Sequence, residues 1–233
     1  MENRMRTAVS RFFAAAALCA VLMASSLAAS AQVVLFGTPG ADDNAFPFGG
    51  SFLTGTRYQQ VYNASKFAGP IVIEEVSFFA TYTGGSFVAN TFSLSLSTTS
   101  KAVNGLSTVF TDNVGADNTL IETKALSGPM PTKWTFSGGT FLYDPSLGNL
   151  LVDIIPAATV PAGVFLGFAD AMNDTFGTDS SRMHDFGTGF DSQGLVTEFK
   201  GYAPTNNVVP EPGAFALLFG FALVGGMALR RRR

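Results

Sequence analysis

Among 233 residues there is one cysteine, Cys19, one histidine, His184, and one tryptophan, Trp134, and only 13% of the side chains are charged. A single cysteine excludes a disulfide-stapled scaffold and a cysteine-ligated zinc site. A lone histidine cannot build a histidine-based metal centre. It leaves one arrangement of Ser-His-Asp type to weigh, His184-Asp185 with Ser180 or Ser181. That chemistry needs its serine on a sharp elbow, and no Gly-x-Ser-x-Gly occurs in the chain. Long helix formers are also few in the body, and no dozen-residue amphipathic crossover joins its short apolar runs, so parallel β-α-β units are excluded as well.

The ends are different. Arg4, Arg6 and Arg11 precede an apolar run over residues 12–23, and Ala29-Ser30-Ala31 supplies an A-x-A site. This is the order of a secretory signal peptide, residues 1–31, with cleavage expected after Ala31 and Gln32 as the first mature residue. The run is too short for a stop-transfer helix. Leu18 stands before Cys19 where a lipoprotein signal requires a small residue. Cys19 therefore leaves with the signal, and the mature chain carries no thiol.

At the other end, Pro210 and Pro212 fix φ and remove two backbone donors, so Pro210-Glu211-Pro212 reads as an extended, accessible stalk. Over residues 213–229 no side chain is charged or hydroxylated. At about 1.5 Å per residue a helix of that length reaches roughly 25 Å, the short end of what spans a bilayer core. Arg230, Arg231, Arg232 and Arg233 then hold the terminus in the cytoplasm by the positive-inside rule.

This C-terminal segment, 210–233, resembles the PEP-CTERM sorting signal of Gram-negative bacteria at Pro210-Glu211-Pro212, the Gly-rich apolar span and the arginine cluster. The resemblance implies recognition by exosortase, a membrane-embedded cysteine transpeptidase-like enzyme, and processing near Pro-Glu-Pro on the way to the outer surface. It also implies a host that makes exopolysaccharide. It covers about a tenth of the chain and supplies an address, leaving the activity of the body to be argued separately.

Residues 32–209 hold seven basic and fifteen acidic side chains, a net charge of −8, which repels nucleic acid and anionic lipid surfaces. Residues 203–209, with Pro204, Asn206 and Asn207, form a loose polar linker. The domain proper, 32–202, is rich in Phe, Thr, Ser and Gly, with period-two runs separated by Gly, Asn, Asp and Pro. The clearest lies at residues 90–98, where Phe92, Leu94 and Leu96 face one way and Thr91, Ser93, Ser95 and Ser97 the other. Further strands are expected at 33–36, 57–63, 71–82, 106–111, 120–126, 133–136, 140–143, 150–155, 164–168, 182–186 and 195–202. With no fixed-period repeat, an antiparallel, jelly-roll-like β-sandwich is preferred to a parallel β-helix. Tyr58-Gln59-Gln60-Val61-Tyr62 and the run from Phe141 through the turn at Asp144-Pro145 to Asp153 also resemble the bodies of other PEP-CTERM proteins.

Asp42-Asp43-Asn44 and the group Asp170, Asn173, Asp174 and Asp179 offer oxygen ligands of the kind calcium takes, though neither has EF-hand spacing and a solvated turn is the default reading. Paired carboxylates for glycoside hydrolysis have no local motif to mark them. Trp134, Tyr58, Tyr62, Tyr82 and Tyr202 are candidates for a sugar-stacking platform, with Trp134 assigned to the core because it alternates with Phe136. The sequence thus points to a non-enzymatic surface or matrix protein without a cofactor, handled by Sec and exosortase and associated with exopolysaccharide or biofilm. It passes through the inner membrane and does not engage nucleic acid. The alternative is a secreted carbohydrate-binding module or polysaccharide-active enzyme.

Overall fold

A computed structural model describes residues 30–40, 42–52, 57–82, 84–171, 178–184, 190–191 and 194–204. Its strands are β1 (Ala31–Phe36), β2 (Asp42–Asn44), β3 (Gly50–Phe52), β4 (Tyr58–Tyr62), β5 (Ile71–Phe79), β6 (Ser86–Thr99) and β7 (Thr119–Pro129). They continue with β8 (Lys133–Tyr143), β9 (Asn149–Pro156), β10 (Val160–Phe165), β11 (Ala169–Ala171), β12 (Ser180–His184), β13 (Phe190–Asp191) and β14 (Thr197–Tyr202). A four-stranded sheet runs β1-β14-β5-β8 and a six-stranded sheet runs β13-β12-β4-β9-β6-β7. The ribbons β2–β11 and β3–β10 complete the pairing, which is antiparallel throughout. This is the all-β, two-sheet architecture that the alternation predicts.

In β6 the alternation sorts as expected. Phe92, Leu94 and Leu96 are buried, while the Ser93 hydroxyl shares a hydrogen bond with Thr123 on β7 (3.0 Å). Without a cysteine between residues 30 and 204, cohesion falls to aromatic burial. Phe48, carried on the turn after β2, has no exposed surface and lies 5.1–5.2 Å from the rings of Phe78, Phe92 and Trp134. A second group joins Phe36 to Tyr62 (4.8 Å), Tyr62 to Phe199 (4.9 Å) and Phe67 to Tyr143 (4.8 Å). Each such fully buried ring is worth about 1.5–3 kcal/mol relative to exposure.

Four expected strands are corrected. The strands at 133–136 and 140–143 are one strand, β8, because Ser137-Gly138-Gly139 bends the chain without ending it. Gly138 sits at φ 157°, opposite an irregularity between Ile73 and Glu75 of β5. The strand at 164–168 lies earlier, as β10, in spite of Pro161. The strand at 106–111 does not form. Asn113 takes over the backbone groups a neighbouring strand would have used: its Oδ1 accepts from Ser107 N–H (2.6 Å) and its Nδ2 donates to Ser107 C=O (2.9 Å). The chain turns instead through a 3-10 segment, Phe110–Asn113.

That irregular stretch covers the outer face of the six-stranded sheet. Leu106, Phe110 and Val114 pack on Val61, Leu151 and Met183, forming a small apolar layer distinct from the main core. On the sandwich's other flank, Glu122 of β7 accepts from Ser137 N–H of β8 (2.7 Å) and Lys124 donates to Thr135 C=O, so side chains stitch the two sheets where they meet.

Candidate functional site

The two ends of the domain meet. β1 pairs with β14 from Ala31 opposite Tyr202 to Phe36 opposite Thr197, and the Ala203 N–H donates to the Ser30 carbonyl (3.0 Å). Ala31 and Gln32, which flank the expected cleavage position, therefore start the strand beside which the linker leaves. Ala29, the rest of the signal segment, the sorting motif Pro210-Glu211-Pro212, the apolar span and Arg230, Arg231, Arg232 and Arg233 lie outside the described residues. Among the described residues no helix is long and apolar enough to cross a membrane.

The most densely connected polar constellation is Tyr58-Gln59-Gln60-Val61-Tyr62. All five residues are buried, because β4 lies mid-sheet with the core beneath it and the 106–114 cover above. On the core side, Gln60 behaves as an extra peptide group for Leu195. Its Oε1 accepts from Leu195 N–H (2.8 Å) and its Nε2 donates to Leu195 C=O (3.1 Å), while Tyr58 OH donates to the same Oε1 (2.6 Å). Tyr62 OH and Thr197 Oγ1 share a hydrogen bond of 2.7 Å. These contacts fix the approach to β14. Gly194 is required there, since a Cβ would stand 2.6 Å from Gln60 Nε2.

On the outer side, Gln59 donates to Phe110 C=O (3.1 Å) and accepts from Asn113 Nδ2 (2.8 Å), pinning the cover. Asp153 of β9, also buried, holds Arg57 through both carboxylate oxygens, with Arg57 Nε at 2.7 Å. The Arg57 guanidinium in turn lies 5.9 Å from the Phe110 ring centroid. Burial, with Tyr58 nearby, pushes the Tyr62 phenol well above its ordinary value. Burial and Asp144 do the same for Tyr143. The Ser146 hydroxyl and amide hold the Asp144 carboxyl below the ordinary range in the β8–β9 turn.

No protein-family model, no curated protein and no solved structure matches the chain.

The described calcium candidates fall in two places. Asp170 lies on β11 opposite Asp43 of β2, so the two acidic stretches share one ribbon. Asp179, by contrast, precedes β12 on the six-stranded sheet, where its carboxylate pairs with Lys66 (2.7 Å) and its carbonyl accepts from Asn63 N–H (2.9 Å). Asp174 and Asn173 fall outside the described residues. Among the described residues no group of three His, Cys, Asp or Glu is placed to hold a metal.

Ser180, Ser181 and His184 share one extended strand. His184 is four residues, about 13 Å, beyond Ser180; Ser181 points to the opposite face. His184 stacks at 5.9 Å on Phe46, and Ser181 Oγ accepts from Asn104 N–H (2.8 Å). Neither serine reaches the imidazole. The aromatic platform separates likewise: Tyr58, Tyr62 and Trp134 are core, whereas Tyr82 is exposed and Tyr202 half-buried.

The roles of Gln59, Gln60 and Gly194 had one signal in the sequence. Two glutamines between tyrosines break alternation, which is what a strand covered on both faces requires.

Proposed function

We propose that this protein is an exported cell-surface or extracellular-matrix protein, sorted by an exosortase-type system, non-enzymatic and associated with exopolysaccharide or biofilm. The reading is carried by two sorting ends around an acidic sandwich whose first and last described strands are paired, so both ends attach at one point. Sec delivers the chain, and residues 213–229 hold an inner-membrane intermediate with Arg230, Arg231, Arg232 and Arg233 inside. Processing at Pro210-Glu211-Pro212 then passes the domain outward. The body serves as a scaffold whose buried polar side chains hold the chain to itself.

The jelly-roll form of the sandwich belongs to the same proposal. In a jelly roll, eight strands taken in chain order divide into two sheets, first-eighth-third-sixth and second-seventh-fourth-fifth. Counting β1, β4, β5, β6, β7, β8, β9 and β14 as those eight reproduces both orders, with β12 and β13 added beside β4.

Proteomics of cells and medium with and without exosortase tests the sorting. The protein should move from the outer fraction to the inner membrane at unprocessed mass when the enzyme is absent, and an unchanged distribution refutes the reading. A carbohydrate-binding module is the second reading, favoured by the exposed Tyr82 ring 6.0 Å from Phe168. Selective micromolar binding on a glycan array would establish it, and turnover of a glycan would establish an enzyme.

A further inference from the structure

β1 is an edge strand, and among the described residues it pairs with β14 alone. Natural sheets guard such edges with charge, proline, a bulge or a covering element. Ala31-Gln32-Val33-Val34-Leu35-Phe36 has no charge and no proline, and its register with β14 has no bulge. The other edge of the same sheet, β8, is stitched to β7, and the six-stranded sheet ends in the two-residue β13 at one side and in β7, which carries Glu122 and Lys124, at the other.

The groups β1 offers can be assigned. Ala203 N–H donates to Ser30 C=O, so Ser30 and Ala203 form a hydrogen-bonded pair of the antiparallel ladder. Alternation then points the backbone groups of Gln32, Val34 and Phe36 at β14 and those of Ala31, Val33 and Leu35 away from it. The side chains of Val33 and Leu35 are 59% and 47% exposed on the sheet's outer face.

We propose that β1 is a self-association edge, pairing antiparallel with β1 of a second copy about a two-fold axis through Val34, so that two four-stranded sheets become one of eight. The strand is its own complement: it repeats the same uncharged groups under the two-fold, and Val33 of each copy meets Leu35 of the other on the outer face. For a chain beginning at Gln32, this register forms four backbone hydrogen bonds, from Val33 and Leu35 of both copies. Centring on Val33 would leave two. Charge does not oppose this register, since Lys200 is paired with Glu75 and Glu198 with Lys133 within each copy. Val33 lies opposite Lys200 and Leu35 opposite Glu198, so the Val34-centred pairing sets Lys200 of one copy in the same cross-strand row as Glu198 of the other. Their strands are then about 14 Å apart, three strand spacings.

Cysteine crosslinking in the full chain tests this, in a Cys19→Ser background with copper-phenanthroline oxidation of whole cells. At the two-fold, Val34 faces its own copy as a non-hydrogen-bonded pair with Cα atoms about 4.5 Å apart, inside disulfide reach. Val33 and the Val33 of the other copy stand diagonally, as do the two Leu35 residues, beyond the roughly 7 Å limit. Val34→Cys should double the mass on a non-reducing gel, while Val33→Cys and Leu35→Cys should not. Adding Val33→Pro to Val34→Cys removes a donor aimed only at the second copy and should abolish the doubled band. If that variant does not accumulate, Val33→Lys, which keeps the ladder with β14, should abolish it instead. No crosslink at any position overturns the proposal. So do equal crosslinking at all three or a band of another mass, which would reveal a different occupant of the edge.

Discussion

Gln59 and Gln60 are adjacent and chemically identical, yet replacing each with leucine should produce different defects. Gln60→Leu keeps the approximate volume and removes the tie to both backbone groups of Leu195 and the acceptor of Tyr58 OH. Not every stripped group is orphaned. Leu195 N–H retains the Tyr58 oxygen at 3.2 Å and Leu195 C=O retains Thr197 Oγ1 at 2.9 Å. At about 1–3 kcal/mol for a buried polar group left unmet, the net cost should be about 2–4 kcal/mol. With a urea slope of about 2–3 kcal/mol/M for a domain of this size, the midpoint should fall by roughly 1 M with the slope unchanged. Gln59→Leu instead frees Phe110 and Asn113 from the sheet. The cover over residues 101–118 should open locally, losing amide protection in hydrogen exchange, while the global midpoint moves by less than about 1 kcal/mol equivalent. Equal midpoint shifts with no difference in exchange over 101–118 would refute the division of labour between the two faces of β4.

Alkali should destabilise the fold through Tyr62 and Tyr143. Their folded pKa values lie above the ordinary 10.0, so stability is full below about pH 10 and falls above it. The loss is about 1.4 kcal/mol per pH unit for each tyrosine until the folded form titrates, read as denaturant midpoints on either side of pH 10. Tyr62→Phe should roughly halve that dependence, leaving the Tyr143 share; an unchanged slope refutes the assignment. Gly194→Ala should cost about 1–3 kcal/mol by forcing Gln60 aside, and should cost markedly less in a Gln60→Ala background, a coupling a double-mutant cycle measures. Arg57→Met leaves the Asp153 carboxylate buried without its partner and should destabilise by about 2–3 kcal/mol in thermal or urea unfolding, with Asp153→Asn costing less because Arg57 keeps partial access to solvent. Replacing Pro210, Glu211 and Pro212 together with alanine should leave membrane insertion intact but trap the protein unprocessed in the inner-membrane fraction; normal release would reduce the motif to a spacer.

The sheets were legible where one face is wet. Phe92, Leu94 and Leu96 alternate with hydroxyl side chains because β6 meets the core on one side, and period two reports that directly. The signal failed where the outer face is also covered. Residues 106–111 read as a strand because Leu106, Val109 and Phe110 are apolar, but Leu106 and Phe110 serve a second layer over β4 and β9, and the capping role of Asn113 is a tertiary fact. Glycine pairs misled in the other direction: Gly138-Gly139 looks like a break and is a bend in one strand. Of the site residues, Trp134 was legible as core from its alternation with Phe136, but the tyrosines could not be sorted into core and surface, since tyrosine suits both. The acids could not be grouped, because Asp170 and Asp179 are close in the chain but belong to different sheets.

The position of β14 carries a consequence for the order of events. It is the last described strand, yet it lies between β1 and β5. A chain emerging N-terminus first presents β1 with no neighbour until residues 197–202 arrive, because Ala31 must find Tyr202 across nearly the whole domain. Pairing over so long a loop is slow and late. The four-stranded sheet can close only once residues 197–202 have emerged, so the domain stays open along β1 until nearly all of it has been delivered.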